Sequence, residues 1–152
     1  MAARVFRTVE EIEAVVGEPL GSTDWLRMGQ PTVDGFADLT RDQQWIHVDV
    51  ERAAASPFGG TIAHGYLTLS LLPSMAAELY SLEAGSARLN YGLDKVRFPA
   101  PVPVGSRIRA TPTVVGVRAV PAGNQVAVRW VVECDQAERP VCVAETLTLV
   151  VA

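Results

Sequence analysis

The stretch from Gly65 to about Leu82 most constrains the fold, because it is apolar on nearly every side. It reads "GYLTLSLLPSMAAELYSL". At helical spacing its large apolar residues form one stripe, made of Leu67, Leu71, Met75 and Leu79. A second side of the helix is covered by Leu69 and Leu72. A helix without a polar face must be buried, and Pro73 inside it predicts a kink. The rest of the chain therefore has to enclose this helix.

After Gly85 the hydrophobic pattern changes to an alternation with period two, which is typical of half-buried strands. Four segments carry it: "ARLNYGLDKVRF", "SRIRATPTVVGV", "NQVAVRWVVECD" and "PVCVAETLTLVVA". "QAER" is a hairpin connection between the last two. One buried helix and one antiparallel sheet predict a single α+β domain over residues 1–152, with the sheet curled around the helix. Pairing with a second copy would cover the exposed sheet edges, so we expect a homodimer.

Shorter elements precede the apolar helix. "RTVEEIEAVVG" predicts a helix capped by Thr8, with Glu11 completing a capping box. "DWLRM" predicts an extended piece, and "PTVDGFADLT" predicts a second helix with Thr32 as a cap. "WIHVDV" alternates and therefore predicts an extended segment, after which Asp49 caps a helical turn over "VERAAA".

Charge and hydropathy exclude several classes of protein. The net charge of −4 and the absence of a basic face interleaved with aromatics argue against nucleic-acid binding. No apolar run is long enough to span a membrane, and the first residues lack the apolar core of a signal peptide, so we expect a cytoplasmic protein. In a reducing compartment Cys134 and Cys142 are expected to be separate, half-buried thiols.

Asp42 and His47 lie five residues apart in "DQQWIH", between a predicted helix and a predicted extended segment. A sharp turn at that junction would let both side chains face one cavity. A carboxylate beside an imidazole handles protons near neutral pH. The pair alone is a weak signal, because loop polar residues are commonly just solvated. Asp38 and Asp49 fit structural roles, on a helix surface and as a cap.

"GGTIAHGYLTLS" is the second candidate region. The Gly65 N–H begins the apolar helix and suits a developing oxyanion. A phosphate loop is excluded, because Tyr66 and Leu67 stand where Lys and Ser or Thr are needed. His64 is a ligand, a substrate contact or a structural residue; a metal site built from it, His47 and an aspartate lacks a supporting ligand spacing.

Three motifs, taken in their order and spacing, resemble those of the MaoC-like dehydratases, the (R)-specific enoyl-CoA hydratases, including short NodN-like members. The motifs are "DLTRDQQWIHVD", "IAHGYLTLSLL" and "DKVRFPAPVPVGS". The resemblance implies a hot-dog fold and dimers joined edge to edge. It places the family's catalytic Asp and His at Asp42 and His47. Arg41, Gln44 and Trp45 replace the Gly, Asn and Pro of the approximate family pattern G-D-x-N-P-[LIV]-H-x-D.

The resemblance also implies a mechanism. Water adds reversibly to trans-2-enoyl-CoA and gives (R)-3-hydroxyacyl-CoA, with Asp42 and His47 activating the water and the Gly65 N–H polarising the thioester carbonyl. The implied family serine that supports the catalytic residues corresponds to Ser70, and His64 is a further candidate substrate contact. No metal or redox cofactor is expected, because the thioester itself acidifies C2.

Two other functions stay open. A hot-dog thioesterase would use a carboxylate on or near the central helix, and that segment offers only Glu78. A non-catalytic acyl-CoA-binding subunit of a larger dehydratase is consistent with the altered loop around Trp45.

Overall fold

Helices occupy much of the first half of the chain, and long strands occupy the second half. A computed structural model describes residues 2–152. In chain order the elements are β1 (Arg4–Phe6), α1 (Val9–Glu13), β2 (Leu26–Arg27), α2 (Gln30–Thr40), α3 (Trp45–Val48), α4 (Val50–Ala54), α5 (Gly65–Ala76), β3 (Tyr80–Leu82), β4 (Ala87–Arg97), β5 (Arg107–Val120), β6 (Gly123–Cys134) and β7 (Cys142–Val151).

The four strands predicted from period-two alternation are confirmed. Together with β2 they form a five-stranded antiparallel sheet in the order β2-β5-β6-β7-β4, with β4 at one edge. Alternate residues of β6 are buried, as the alternation predicts: Val126, Val128, Trp130 and Val132. Register shifts interrupt the pairing of β4 with β7 and of β5 with β6, and such bulges bend and twist a sheet. The result is the predicted hot-dog arrangement, a curled sheet packed around α5.

The central helix α5 joins the core through Leu67, Leu72 and Met75, which are at most 5% exposed. It ends at Ala76, so the prediction of a helix reaching Leu82 was too long. The following residues instead form β3, which pairs in parallel with β1. Backbone pairing with a distant strand thus overrides the apolar helical spacing of this segment. Pro73 lies inside α5.

The first predicted cap is confirmed, because the Thr8 hydroxyl oxygen accepts the Glu11 N–H at 3.2 Å. The Glu11 carboxylate reaches back to the Arg7 N–H. The cap predicted at Thr32 was wrong: the N-cap is Gly29, three residues earlier, and α2 has a proline in its first turn. Proline suits that position because the first N–H groups of a helix have no partner inside it.

The extended segment predicted over "WIHVDV" was also wrong, because Trp45–Val48 form the short helix α3. The cap predicted at Asp49 is confirmed: its carboxylate accepts the Arg52 N–H at 3.1 Å at the start of α4. The chain therefore turns twice around His47, which places the side chain of His47 in the interior.

Cys134 and Cys142 are free and more deeply buried than expected. Burial raises the pKa of Cys142 to about 11, so its thiol stays protonated at neutral pH. Among residues 2–152, no helix combines the length and the apolar character needed to cross a membrane.

Candidate active site

The loop that carries Asp42 begins at a strained backbone position. Arg41 ends α2 with φ of 63°, and it is the one non-glycine residue between 2 and 152 with positive φ. This left-handed conformation turns the chain sharply away from the helix axis. It costs an ordinary L-residue about 1 kcal/mol, a penalty that glycine avoids. The sharp turn therefore lies directly before Asp42, at the end of α2.

His47 is buried, and its Nδ1 lies 2.7 Å from the Ile62 carbonyl oxygen. Because a carbonyl only accepts, Nδ1 carries the proton of the neutral ring and Nε2 keeps a free lone pair. Burial lowers the pKa of His47 below its ordinary value of 6.5. The Ile62 carbonyl and Asp42 oppose that shift, whereas His64 adds to it. His47 is thus a neutral base at neutral pH.

His64 lies directly against His47. The two rings stack with centroids 3.7 Å apart and planes inclined by 22°, and the Phe36 ring packs edge-on against His64 at 4.9 Å. The His64 Nε2–H donates to the Asp42 backbone carbonyl at 3.0 Å. His64 therefore connects the Asp42 loop, the His47 ring and the start of α5.

Asp42, His47 and His64 form one cluster of potential metal ligands, whose ligand atoms lie within 4.8 Å of one another. One nitrogen of each imidazole already bonds a carbonyl oxygen. The lone pair of each ring nitrogen points outward in the plane of its ring. Because the planes of His47 and His64 are nearly parallel, the two lone pairs do not converge on one point within the length of a metal–nitrogen bond. This geometry is unfavourable for tetrahedral metal coordination by both rings. The absence of a metal cofactor stays a prediction.

A cavity of about 310 Å³, here called the His47 cavity, contains His47, Gly65, Thr68 and Phe98 in its wall. The Gly65 N–H starts α5 and has no acceptor within the described chain. A Cβ at Gly65 would lie only 3.0 Å from the Phe98 ring, so glycine lets the aromatic wall close on the helix end. The free N–H at the positive end of the helix can stabilise negative charge on an oxygen.

The structure does not bring Ser70 to this cavity. Its hydroxyl donates to the Tyr66 carbonyl at 2.6 Å, and the residue lines a larger cavity of about 600 Å³, between α5 and the sheet near β4. We call this larger cavity the β4 groove. Thr68 does line the His47 cavity, and its Oγ1 is buried without a hydrogen-bond partner among residues 2–152. Its position one turn after His64 is the signal that could have placed Thr68 at the site.

Three side chains, Trp45, Arg52 and Phe58, form a group that we call the rim cluster. The Arg52 guanidinium lies 4.3 Å from the Trp45 ring centre, and the Trp45 and Phe58 rings are 6.4 Å apart. Phe58 is 48% exposed and also lines the His47 cavity. Trp45, which departs from the family pattern, therefore lies beside the entrance of the His47 cavity.

Comparisons with known proteins identify the family of this chain. The family described as "MaoC like domain" matches residues 11–147. The chain is 51% identical to 3-hydroxyacyl-thioester dehydratase Z of Mycobacterium tuberculosis, over 98% of this chain and 99% of the relative. It is 42% identical to nodulation protein N of Rhizobium leguminosarum bv. viciae, over 94% and 91% of the two chains.

The monoamine oxidase regulatory protein of Archaeoglobus fulgidus superposes with a TM-score of 0.80 at 28% identity, over 99% and 98% of the two chains. A curled antiparallel sheet around one helix defines the hot-dog fold. The chain belongs to the MaoC-like domain family, and its role is that of a hydratase or dehydratase, a hydro-lyase.

Proposed function

We propose that this enzyme hydrates trans-2-enoyl-CoA to (R)-3-hydroxyacyl-CoA and catalyses the reverse dehydration. One observation supports this most directly: a base with a free lone pair and an unpartnered helix N–H share one cavity. His47 and Gly65 both line that cavity, and a carboxylate oxygen of Asp42 lies within 4.8 Å of a His47 ring nitrogen.

In the proposed reaction a water molecule is held by Asp42 and His47, and His47 Nε2 takes its proton. The oxygen bonds to C3, the C2–C3 π electrons move towards C2, and negative charge develops on the thioester oxygen. The Gly65 N–H stabilises that charge, and such a donor contributes on the order of 3 kcal/mol. Transfer of the proton from His47 to C2 restores the base and completes the addition, with no redox step.

The name of the Mycobacterium tuberculosis relative supports 3-hydroxyacyl thioesters as the substrate class. The (R) configuration and the CoA carrier follow from the family resemblance of the sequence. We propose that the reaction needs no metal, and we expect full activity after dialysis against a chelator.

Crotonyl-CoA tests the proposal. We expect loss of the enoyl absorbance without release of free thiol, and a product that an (R)-specific 3-hydroxyacyl-CoA dehydrogenase oxidises. Thiol release would instead indicate the thioesterase. Binding of crotonyl-CoA with neither change would favour a non-catalytic subunit.

The structure offers little support for the thioesterase. Glu78, the one acidic residue between positions 65 and 82, lies beyond the C-terminal end of α5. Its carboxylate accepts the Asp24 N–H at 3.0 Å, and it does not line the His47 cavity.

We also propose that the enzyme is a homodimer joined along β4. This strand forms a sheet edge and is exposed over most of its 11 residues. Three of its large apolar side chains are 46–64% exposed: Leu89, Tyr91 and Leu93. An exposed apolar edge strand pairs readily with another chain. A mass measurement by light scattering should give twice the chain mass of 16.3 kDa.

A further inference from the structure

We propose that the rim cluster of Trp45, Arg52 and Phe58 binds the adenosine 3′-phosphate 5′-diphosphate end of CoA, so that this enzyme selects CoA over carrier-protein thioesters. The inference rests on the proposed function, whose acyl thioester would occupy the His47 cavity. It concerns the other end of the substrate, which takes no part in the chemistry.

The rim cluster is continuous with the catalytic cavity. Phe58 contributes to the wall that holds His47 and Gly65, yet it is 48% exposed. Trp45 packs beside Phe58 on the outer side and lies two residues before His47 in α3. A substrate whose thioester lies at Gly65 would therefore leave the cavity along these aromatic side chains.

Arg52 supplies a positive charge that the protein does not neutralise. Among residues 2–152 its guanidinium forms no ion pair, although the side chain is exposed and lies on the face of Trp45. The nearby Asp49 carboxylate accepts the backbone N–H of Arg52. A guanidinium stacked on an aromatic ring keeps its edge N–H groups available for bidentate bonds to phosphate.

The chemistry of the cluster favours a nucleotide over a protein. Trp45 and Phe58 offer two exposed or half-exposed ring faces, and a nucleobase stacks on such faces with about 1–3 kcal/mol. CoA carries a base and three phosphates, whereas the phosphopantetheine arm of a carrier protein carries one phosphate and no base. The net charge of −4 of this chain also disfavours an acidic carrier protein.

The test compares crotonyl-CoA with crotonyl-pantetheine, which lacks the nucleotide. In the Arg52→Ala enzyme, the ratio of kcat/KM for crotonyl-CoA to kcat/KM for crotonyl-pantetheine should fall about tenfold, mainly through KM. Arg52→Lys should recover only part of the ratio, because lysine keeps the positive charge but has no planar group to stack on Trp45. Arg118→Ala is the matched control: this exposed arginine lies near the β5–β6 turn, and its ratio should match wild type.

An unchanged ratio in the Arg52→Ala enzyme would overturn the inference, as would crotonyl-carrier protein being hydrated as efficiently as crotonyl-CoA. Binding of adenosine 3′,5′-bisphosphate, followed by calorimetry, separates this inference from the proposed function. We expect wild-type protein to bind it and Arg52→Ala to bind at least tenfold more weakly. Failure to hydrate either thioester would refute the proposed function alone, and absence of bisphosphate binding would refute the rim site alone.

Discussion

The two sides of α5 differ in what they enclose. At its N-terminal end the helix closes the His47 cavity. Two buried polar atoms near that end, His64 Nδ1 and Thr68 Oγ1, have no partner within the described chain. On its other side Leu69 and Ser70 line the β4 groove, where Leu93 is 46% exposed and the strand edge is unpaired.

Unsatisfied polar groups inside a protein cost free energy and often mark sites of chemistry, whereas exposed apolar surface marks an interface. This difference supports the two proposals made above, reaction at the N-terminal end of α5 and assembly along its side. Substitutions on the two sides should therefore affect different measurements.

The largest effect is expected at the reacting pair. His47→Gln and Asp42→Asn should each lower the rate of crotonyl-CoA hydration at least a hundredfold, because general acid–base groups contribute roughly 10²–10⁴. Circular dichroism should show an unchanged fold. Asp38→Asn is the matched control, since this carboxylate accepts a hydrogen bond from Gln43 on the surface. Near-wild-type hydration by either catalytic variant would remove that residue from the mechanism.

Gly65→Ala should lower kcat/KM by roughly 10- to 100-fold, because the added methyl meets the Phe98 ring at 3.0 Å and displaces the oxyanion donor. The Phe98→Leu substitution removes the facing ring. Combined with Gly65→Ala, it should restore part of the lost activity. If the double variant is no better than Gly65→Ala alone, contact with Phe98 is not the cause.

Leu93→Asp should weaken the dimer by roughly tenfold or more, because it places like charges in an apolar interface. Light scattering across a dilution series measures the change. Leu39→Asp controls for the charge, since Leu39 is 83% exposed on α2 and does not line the groove. A Leu93→Asp protein that stays dimeric to the same dilution as wild type would argue against joining along β4.

The pH dependence should reflect the buried His47. Because burial holds the pKa of His47 below 6.5, kcat/KM should decline on the acid side with a midpoint below pH 6.5. Protonation of His47 also favours the unfolded chain, in which its pKa is higher. The contribution of neutral His47 to the free energy of unfolding is therefore complete above pH 6.5 and decreases as the pH falls below it. Urea unfolding from pH 7.5 to 5 measures this loss, which His47→Gln should reduce. An acid midpoint above 6.5 would contradict a lowered pKa.

The smallest effects are expected at two hydroxyls on opposite sides of α5. Thr68→Val removes a buried, unpartnered hydroxyl and should leave stability unchanged or raise it by up to about 1 kcal/mol. Ser70→Ala removes a bond to the preceding turn and should change hydration less than about threefold. A larger loss of hydration in Ser70→Ala than in Thr68→Val would restore the supporting role implied for Ser70.

The sheet and the central helix were predictable because burial repeats along the sequence. In β6 every second side chain from Val126 onward is buried, and α5 presents apolar residues on several sides. The local hydrophobic pattern did not predict the structure where contacts with residues distant in sequence determine it. The prediction of an extended "WIHVDV" was wrong because Ile46, Val48 and Val50 alternate, whereas α3 is held by contacts outside it, including the bond from the Ile62 N–H to the Ile46 carbonyl.

The candidate site was predictable in part for a different reason. Asp42 and His47 are close in sequence, and the family pattern identifies them. The contribution of His64 depends on a chain reversal that brings its ring 3.7 Å from His47. No periodicity encodes such a stack. Phe98 lies still farther along the chain, and only the folded sheet brings it against Gly65.

The left-handed backbone of Arg41 has a consequence for how this loop tolerates mutation. Position 41 should accept residues in the order of their preference for that conformation, with glycine and asparagine above valine and isoleucine. Its neighbour Asp42 should accept substitutions by the chemistry of the side chain alone. Adjacent codons would thus be under separate selection, one for backbone shape and one for reactivity.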